Sequence, residues 1–157
     1  YIGDLHTPLH NAFDVDAKGR SDGGGNGAEV WFMESRRAKR PTNLHHLWDS
    51  MVETDSVLKR TGAEPYAKRL EADMREKDVA VWLKADLAEA ALESFQITKT
   101  LIYPAYRAKG GKRLGKEYQN RMQPVAFEQV EKAGARLAAL LEWVLLEFPA
   151  PEQESKP

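Results

Sequence analysis

The sequence predicts an all-α protein, a helical bundle with one small β-hairpin. From residue 43 onward, apolar side chains recur mostly at three- and four-residue intervals, which is the spacing of helices that bury one face. A single short stretch, residues 29–33, has the β-branched and aromatic composition of a strand. At 157 residues the chain fits one domain and is long enough to bury a core of its own.

Composition restricts the kind of site that the chain can build. A net charge of −1, from 23 basic and 24 acidic residues, excludes a strongly basic nucleic-acid-binding surface. A polyanionic substrate would therefore be held by local charge or by a metal. Because cysteine is absent, a metal site must use His, Asp and Glu. No apolar run reaches the roughly 18–20 residues of a membrane span, and nothing at the front has the pattern of a signal peptide.

The first ten residues predict the end of a helix followed by a bend. Residues 1–6 fit the last turns of a helix, and Pro8 ends it because proline has no N–H. Asp4 and His10 are six residues apart and cannot be neighbours on one helix, but a bend at Pro8 could turn His10 back toward Asp4. Since the chain starts without Met and with polar residues of functional type, we expect that N-terminal sequence precedes it.

A polar loop over residues 11–28 comes next and contains the run Gly23-Gly24-Gly25-Asn26-Gly27. It is either a flexible connector or the edge of a site. Its spacing fits neither a P-loop nor a dinucleotide fingerprint, and it lacks the final glutamate of a calcium-binding EF-hand loop. We expect the following strand to pair with a neighbouring segment. The basic residues of 36–40 could then attract phosphates or form an ordinary solvated turn.

Helical periodicity predicts the rest of the chain as scaffold. Asn43 is the expected N-cap of the first helix, and Gly62 is its expected stop. Small residues around Gly134 would allow close contact with another helix. The predicted helices cover residues 44–59, 64–76, 79–103 and 123–147, with a loop at 109–113 and a polar, Pro-rich tail at 149–157.

His45 and Asp49 are the most informative pair of residues in the chain. Four residues apart on a helix, they face the same way and could share one metal ion. The alternative is a solvated surface pair, which is common at this spacing. His46 projects about 100° away from His45, so we expect it to pack or to face solvent. We expect Trp48 to lie in the core or to form a wall behind the helix, rather than to stack on a base.

Four segments in order resemble the S1/P1 nuclease family of zinc-dependent single-strand nucleases, and together they cover nearly the whole chain. They are YIGDLHTPLH at residues 1–10, Gly24-Gly25-Asn26, Asn43-Leu44-His45-x-x-Trp48-Asp49, and Ala133-Gly134-x-Arg136-Leu137-Ala138. The resemblance implies an all-α fold of the phospholipase C/P1 nuclease type with three zinc ions in the complete site.

The resemblance also implies roles for individual residues. His10, His45 and Asp49 match the three protein ligands of one zinc, and Asp4 matches the catalytic carboxylate that bridges the other two. Asn26 matches a residue that helps to place substrate, although a turn role is an equal alternative. His6 lies in the first motif at a position where the family tolerates a residue that binds no metal.

The same resemblance implies that residues 1–148 are the C-terminal part of an incomplete zinc nuclease domain. A further family histidine would fall one position ahead of Tyr1, so at most one zinc would be fully liganded here, and we expect the fragment alone to be inactive. The implied activity is endonuclease and 3′-nucleotidase action on single-stranded DNA and RNA, which yields 5′-phosphates. A secreted or periplasmic protein is implied, acting on nucleic acid and nucleotides without a membrane or an obligate protein partner.

Two other hypotheses remain open from the sequence. One is a lipid phosphodiesterase of the zinc phospholipase C type, which would share the fold and the chemistry but would need an apolar pocket. The other is a non-catalytic helical remnant of the nuclease, in which the ligands are present without activity.

Overall fold

The computed structural model describes residues 1–33, 41–52, 56–108, 110 and 113–147. It confirms the predicted all-α class, since helices contain most of these residues and one small sheet joins them. The strands are β1 (Glu29–Met33), β2 (Pro41–Asn43) and β3 (Arg113–Gly115). The helices are α1 (Ile2–Leu5), α2 (Leu44–Asp49), α3 (Ser56–Thr61), α4 (Ala63–Met74), α5 (Val79–Lys84), α6 (Leu87–Ile97), α7 (Tyr103–Ala108) and α8 (Lys116–Glu147).

The chain bends at Pro8, as the sequence predicts. Helix α1 ends at Leu5, and a 3₁₀ turn follows over Pro8–His10. Pro8 takes the first position of that turn, where its missing N–H costs no hydrogen bond. The turn reverses the chain, so that His10 returns to the side of α1 that carries Asp4.

The sheet is larger than the predicted hairpin. β1 pairs antiparallel with β2, with Glu29 opposite Asn43, and this confirms the hairpin. β1 also pairs in parallel with β3, with Phe32 opposite Leu114, so the strand order is β2-β1-β3. Arg113, predicted as loop, therefore begins a strand. The basic residues of 36–40 lie outside the described residues, as does the tail after residue 147.

The prediction of one helix over residues 44–59 was wrong. α2 ends at Asp49, and α3 begins only at Ser56. The helix ends where the Ser50 hydroxyl donates to the carbonyl of His46, which also accepts the Ser50 N–H. The following helix, α4, begins after Gly62 at a positive φ of 81° and places Pro65 in its first turn, as expected.

The prediction of one helix over residues 79–103 was also wrong. Asp86 caps the N–H of Glu89, and Glu89 caps the N–H of Asp86, so a new helix starts after α5. The chain also continues past Pro104, through a π-turn at Thr98–Ile102 and into α7. The wider π-turn immediately before Pro104 tolerates a residue that cannot donate an N–H.

Helix α8 starts seven residues earlier than the predicted start at Gln123 and contains Pro124 in its interior. Tyr118, Met122 and Ala126 explain the earlier start, because at four-residue spacing they all reach the core. None of the described helices combines the length and the apolar character of a membrane span. The core lies between the sheet, α2, α7 and the first half of α8, and its largest fully buried side chains include Leu9, Leu44, Met51, Ile102, Tyr103, Leu114 and Met122.

Candidate metal centre

Helix α2 presents His45 and Asp49 on one face because its other face is anchored in the core. Leu44, Leu47 and Trp48 are buried. The Trp48 indole N–H donates to the hydroxyl of Tyr118 at 2.8 Å, and burial raises the pKa of that hydroxyl above its ordinary value. The sequence expectation that Trp48 belongs to the core is confirmed.

The N-terminus of α2 is fixed by its cap. The Asn43 side chain accepts a hydrogen bond from the His46 N–H at 2.7 Å, so Asn43 is the N-cap that the sequence predicts. His45 stands in the first turn, directly after the cap. The cap thus sets where the helix begins and, with it, where His45 points.

A glycine turn holds the two halves of the site together. Gly24 has a φ of +67°, and a Cβ at this position would lie 2.3 Å from the carbonyl oxygen of Leu9. Gly25 has a φ of +86°, and its carbonyl accepts the backbone N–H of His45 at 3.3 Å. The run lies against the backbone of the 3₁₀ turn and of α2, and it therefore forms the edge of the site rather than a flexible connector.

Both histidines are held through the same ring nitrogen. The Nδ1 of His45 donates to the carbonyl of Gly24 at 2.8 Å. The Nδ1 of His10 donates to Oδ1 of Asp4 at 2.6 Å. In a neutral imidazole that is protonated on Nδ1, the lone pair lies on Nε2. Each ring therefore offers Nε2 as a free ligand atom, in the orientation that metal-binding histidines usually have.

The two Nε2 atoms converge on one carboxylate. His10 Nε2 lies 3.6 Å from Oδ1 of Asp49, and His45 Nε2 lies 3.5 Å from Oδ2. The imidazole rings are stacked, with centroids 4.9 Å apart and planes 12° apart. One ligand atom from each of these three residues lies within 4.8 Å of the others, so the group could hold a metal ion.

An open cleft of about 520 Å³ borders this group. Asp4, His10 and His45 form part of its wall, and the backbone of the glycine turn forms another part. Phe13, 57% exposed, also lines it. Both imidazoles are thus reached from solvent through this cleft, which leaves room for a substrate beside them.

The remaining candidate residues lie around this group rather than in it. Asp4 contacts it only through His10, so its role as a bridging ligand stays a prediction. The Asn26 amide donates to the carbonyl of Gly23 at 2.8 Å, which braces the glycine turn; a role in binding substrate stays a prediction. His46 is exposed and is not in the group, as expected from its direction on the helix.

His6 is buried, with both ring nitrogens already in use. Its Nδ1 donates to the carbonyl of Ile2 at 2.7 Å, and its Nε2 faces the guanidinium of Arg136. Burial lowers the pKa of His6, and the charge of Arg136 lowers it further, although the hydrogen bond to Ile2 acts in the opposite direction. His6 is therefore a neutral residue of the interior.

Two contributors to the site escaped the sequence analysis. The carbonyl of Gly24 orients His45, but it is a backbone atom and leaves no mark in residue type. Phe13 could have been noticed as an aromatic residue in an otherwise polar loop, three residues after His10.

Comparison with known proteins identifies the family to which the chain belongs. A family model described as S1/P1 Nuclease matches residues 1–145. Endonuclease 4 of Arabidopsis thaliana is 31% identical over 160 residues, which cover 95% of this chain and 49% of that protein. Nuclease S1 of Aspergillus oryzae is 26% identical over 158 residues, which cover 91% of this chain and 51% of that protein. The chain thus spans about half the length of the curated relatives it matches. Because the family model matches nearly all of it, the chain belongs to the S1/P1 nuclease family.

Proposed function

We propose that this chain is the C-terminal part of a zinc-dependent endonuclease and 3′-nucleotidase. The enzyme hydrolyses phosphodiester bonds in single-stranded DNA and RNA and leaves 5′-phosphates. His10, His45 and Asp49 hold one zinc ion, and Asp4 is the catalytic carboxylate that contributes to the rest of the metal centre. The observation that carries the proposal is the convergence of two anchored imidazoles on the Asp49 carboxylate.

The spacing of the donor atoms supports zinc. Atoms bound to one tetrahedral zinc at roughly 2.0–2.2 Å lie roughly 3.3–3.6 Å from one another. The distances of 3.5 and 3.6 Å run from the two Nε2 atoms to different oxygens of Asp49; each is close to this separation and too long for a strong hydrogen bond. Two imidazoles and a carboxylate without cysteine form a donor set that suits zinc.

Each residue of the site has a distinct task in this proposal. Three protein ligands leave part of the coordination sphere open, as in catalytic rather than structural zinc sites. When bound, the zinc supplies positive charge that orients a phosphate and stabilises the departing 3′ oxygen. Asp4 and the Gly24 carbonyl keep the two histidines in the tautomer that binds metal.

The cleft favours a nucleotide over a lipid. Its wall carries four polar side chains, Asp4, His10, Asn11 and His45, two of which are proposed zinc ligands. Phe13 offers an exposed aromatic ring on the same cleft, on which an unpaired base could stack. A base in a duplex is already stacked and paired, which accounts for a preference for single strands.

Residues 1–148 form the incomplete domain, and the complete protein is secreted or periplasmic.

The experiment measures zinc binding and cleavage together. Zinc affinity of the chain is determined by competition with a chelator. Hydrolysis by the full-length protein is followed on single-stranded DNA, RNA, duplex DNA, a 3′-nucleotide and phosphatidylcholine vesicles. We expect one tightly bound zinc in the chain and cleavage of the single-stranded substrates and the 3′-nucleotide. His45→Ala should reduce zinc affinity by more than the roughly 10- to 100-fold that loss of an outer hydrogen-bond partner costs.

His46→Ala is the matched control, because it removes the neighbouring imidazole, which is exposed and outside the ligand group. Zinc affinity and cleavage should stay at the wild-type level in that variant. Turnover of phosphatidylcholine without nucleic-acid cleavage would instead indicate a lipid phosphodiesterase. A chain that binds no zinc, in a full-length protein that cleaves none of the substrates, would indicate a remnant without catalytic function.

A further inference from the structure

Helix α1 carries Asp4 and lies directly before the turn that carries His10. Asp4 in turn orients His10 through the 2.6 Å bond to Nδ1. The position of one metal ligand therefore depends on whatever holds α1 in place.

Three side chains, one of them distant in sequence, donate hydrogen bonds to the backbone carbonyls of α1. Ser94 of α6, which is fully buried, donates to the carbonyl of Leu5 at 2.6 Å. Asn11 donates to the same carbonyl at 3.0 Å. His6 donates through Nδ1 to the carbonyl of Ile2 at 2.7 Å. The helix is thus held by hydrogen bonds at both of its ends.

The contact between Arg136 and His6 links α1 to the long helix α8. A guanidinium can only donate hydrogen bonds, so Nε2 of His6 must accept from Arg136. The proton of the imidazole is then on Nδ1, where it bonds the Ile2 carbonyl. Arg136 thus fixes the tautomer that lets His6 hold the start of α1.

Arg136 is itself fixed from the opposite side. Its Nε donates to the carbonyl of Trp82 in α5 at 3.1 Å, and the residue is 7% exposed. Both of these acceptors, a carbonyl and an imidazole, are neutral. Burying a guanidinium against neutral partners costs more than burying an apolar side chain of similar size. Stability alone does not explain why an arginine stands at this position.

We infer that Arg136 is a positioning residue for the metal centre, acting through His6 and the backbone of α1 on Asp4 and His10. The inference rests on the proposed function for the identity of the metal. It extends that function by assigning a role to a residue of the last helix that touches neither the metal ligands nor the cleft. The contacts run from Arg136 to His6, to the Ile2 carbonyl and, through α1, to the Asp4–His10 bond.

The test compares metal binding in variants of Arg136 and His6. Zinc affinity and the absorption spectrum of the cobalt-substituted chain are measured for wild type, Arg136→Ala, Arg136→Lys and His6→Ala. We expect Arg136→Ala to weaken zinc binding about 10- to 100-fold and to change the cobalt spectrum, which reports ligand geometry. Arg136→Lys should recover part of the loss. The double variant with His6→Ala should lose no more than the worse single variant, because the two side chains act in series.

Lys132→Met is the matched control. Lys132 lies one turn earlier on α8, is equally buried at 7% exposure, and pairs with Glu93 and Glu128 rather than with α1. Lys132→Met should lower the free energy of unfolding without changing the cobalt spectrum. Equal loss of zinc affinity in Lys132→Met and Arg136→Ala would overturn the inference, as would wild-type affinity in a folded Arg136→Ala.

If Arg136→Ala does not fold, Arg136→Lys tests the inference instead. A loss of about 3- to 10-fold with an altered spectrum supports the inference, and unchanged binding refutes it. Absence of metal binding in wild type would overturn the proposed metal centre and this inference together. Wild-type binding that is indifferent to Arg136 would overturn this inference alone.

Discussion

The two ends of the molecule differ in how far contacts within the chain hold their side chains. At the site end, formed by the Pro8–His10 turn, residues 23–25 and α2, nearly every polar side chain near the ligands has a named partner. At the distal end, residues 137–147 of α8, no residue is buried, and Trp143 and Leu146 are 55% and 81% exposed. The first region is fixed by specific contacts within the chain, whereas the second presents an apolar surface that the described residues leave uncovered.

The exposed apolar face at the distal end shows what apolar periodicity can and cannot predict. Val130, Leu137 and Leu141 recur at helical spacing, and the helix is present as predicted. All three are nonetheless substantially exposed. Spacing determines that one face of a helix is apolar, but it does not determine what covers that face. The same applies to α5 and α6, where Val81, Leu83 and Leu92 are also exposed.

Gly24→Ala should have the largest effect on stability. The new Cβ would meet the Leu9 carbonyl oxygen at 2.3 Å, and the φ of +67° is unfavourable for any residue with a side chain. We expect the free energy of unfolding to fall by at least about 2 kcal/mol in urea denaturation. Zinc affinity should fall as well, because the Gly24 carbonyl orients His45.

Gly134→Ala in α8 is the opposite case and serves as the control. Nothing lies within 4 Å of the added Cβ, and the glycine is inside a helix. Alanine should stabilise the chain by about 0.5–1 kcal/mol. The prediction that Gly134 lets another helix approach closely was wrong for the part of the chain that the structure describes. If Gly24→Ala and Gly134→Ala changed the free energy of unfolding equally, the two ends would not differ in how tightly they pack.

The site could be predicted only as far as local spacing reaches. His45 and Asp49 were identifiable because four residues on a helix bring two side chains together without knowledge of the fold. His10 lies 35 positions from His45, and its place in the group was expected from the bend at Pro8 and from the family resemblance. The Arg136–His6 contact spans 130 positions, and no local rule reaches that far.

Helix boundaries show a different limit. Asp86 and Glu89 have the spacing of a capping box, but the apolar pattern around them also fits one continuous helix, and the cap prevailed. The predicted start of the last helix at Gln123 was too late, because Met122 and Tyr118, one and five residues before it, are helical and buried in the core. In the second place burial in the core decided, and burial depends on partners distant in sequence.

Tyr118→Phe should have an intermediate effect. It removes the hydroxyl that accepts the Trp48 N–H and leaves a buried donor unpaired. An unsatisfied buried donor costs about 1–3 kcal/mol, and we expect a loss of unfolding free energy in that range. Tyr106→Phe is the control, since the Tyr106 hydroxyl donates to the Glu29 carbonyl at 3.3 Å in an exposed position. It should cost about 0.5 kcal/mol or less; a larger loss than from Tyr118→Phe would contradict the assignment of Trp48 as an anchor of α2.

Leu146→Gln at the distal end should have the smallest effect. The side chain is 81% exposed, so replacing it removes little packing from the described structure. Glutamine has nearly the helix propensity of leucine, and we expect the free energy of unfolding to change by no more than about 0.5 kcal/mol. A loss above about 1 kcal/mol in dilute, monomeric protein would mean that the distal end is packed in solution. The two ends would then not differ in how far the chain itself stabilises them.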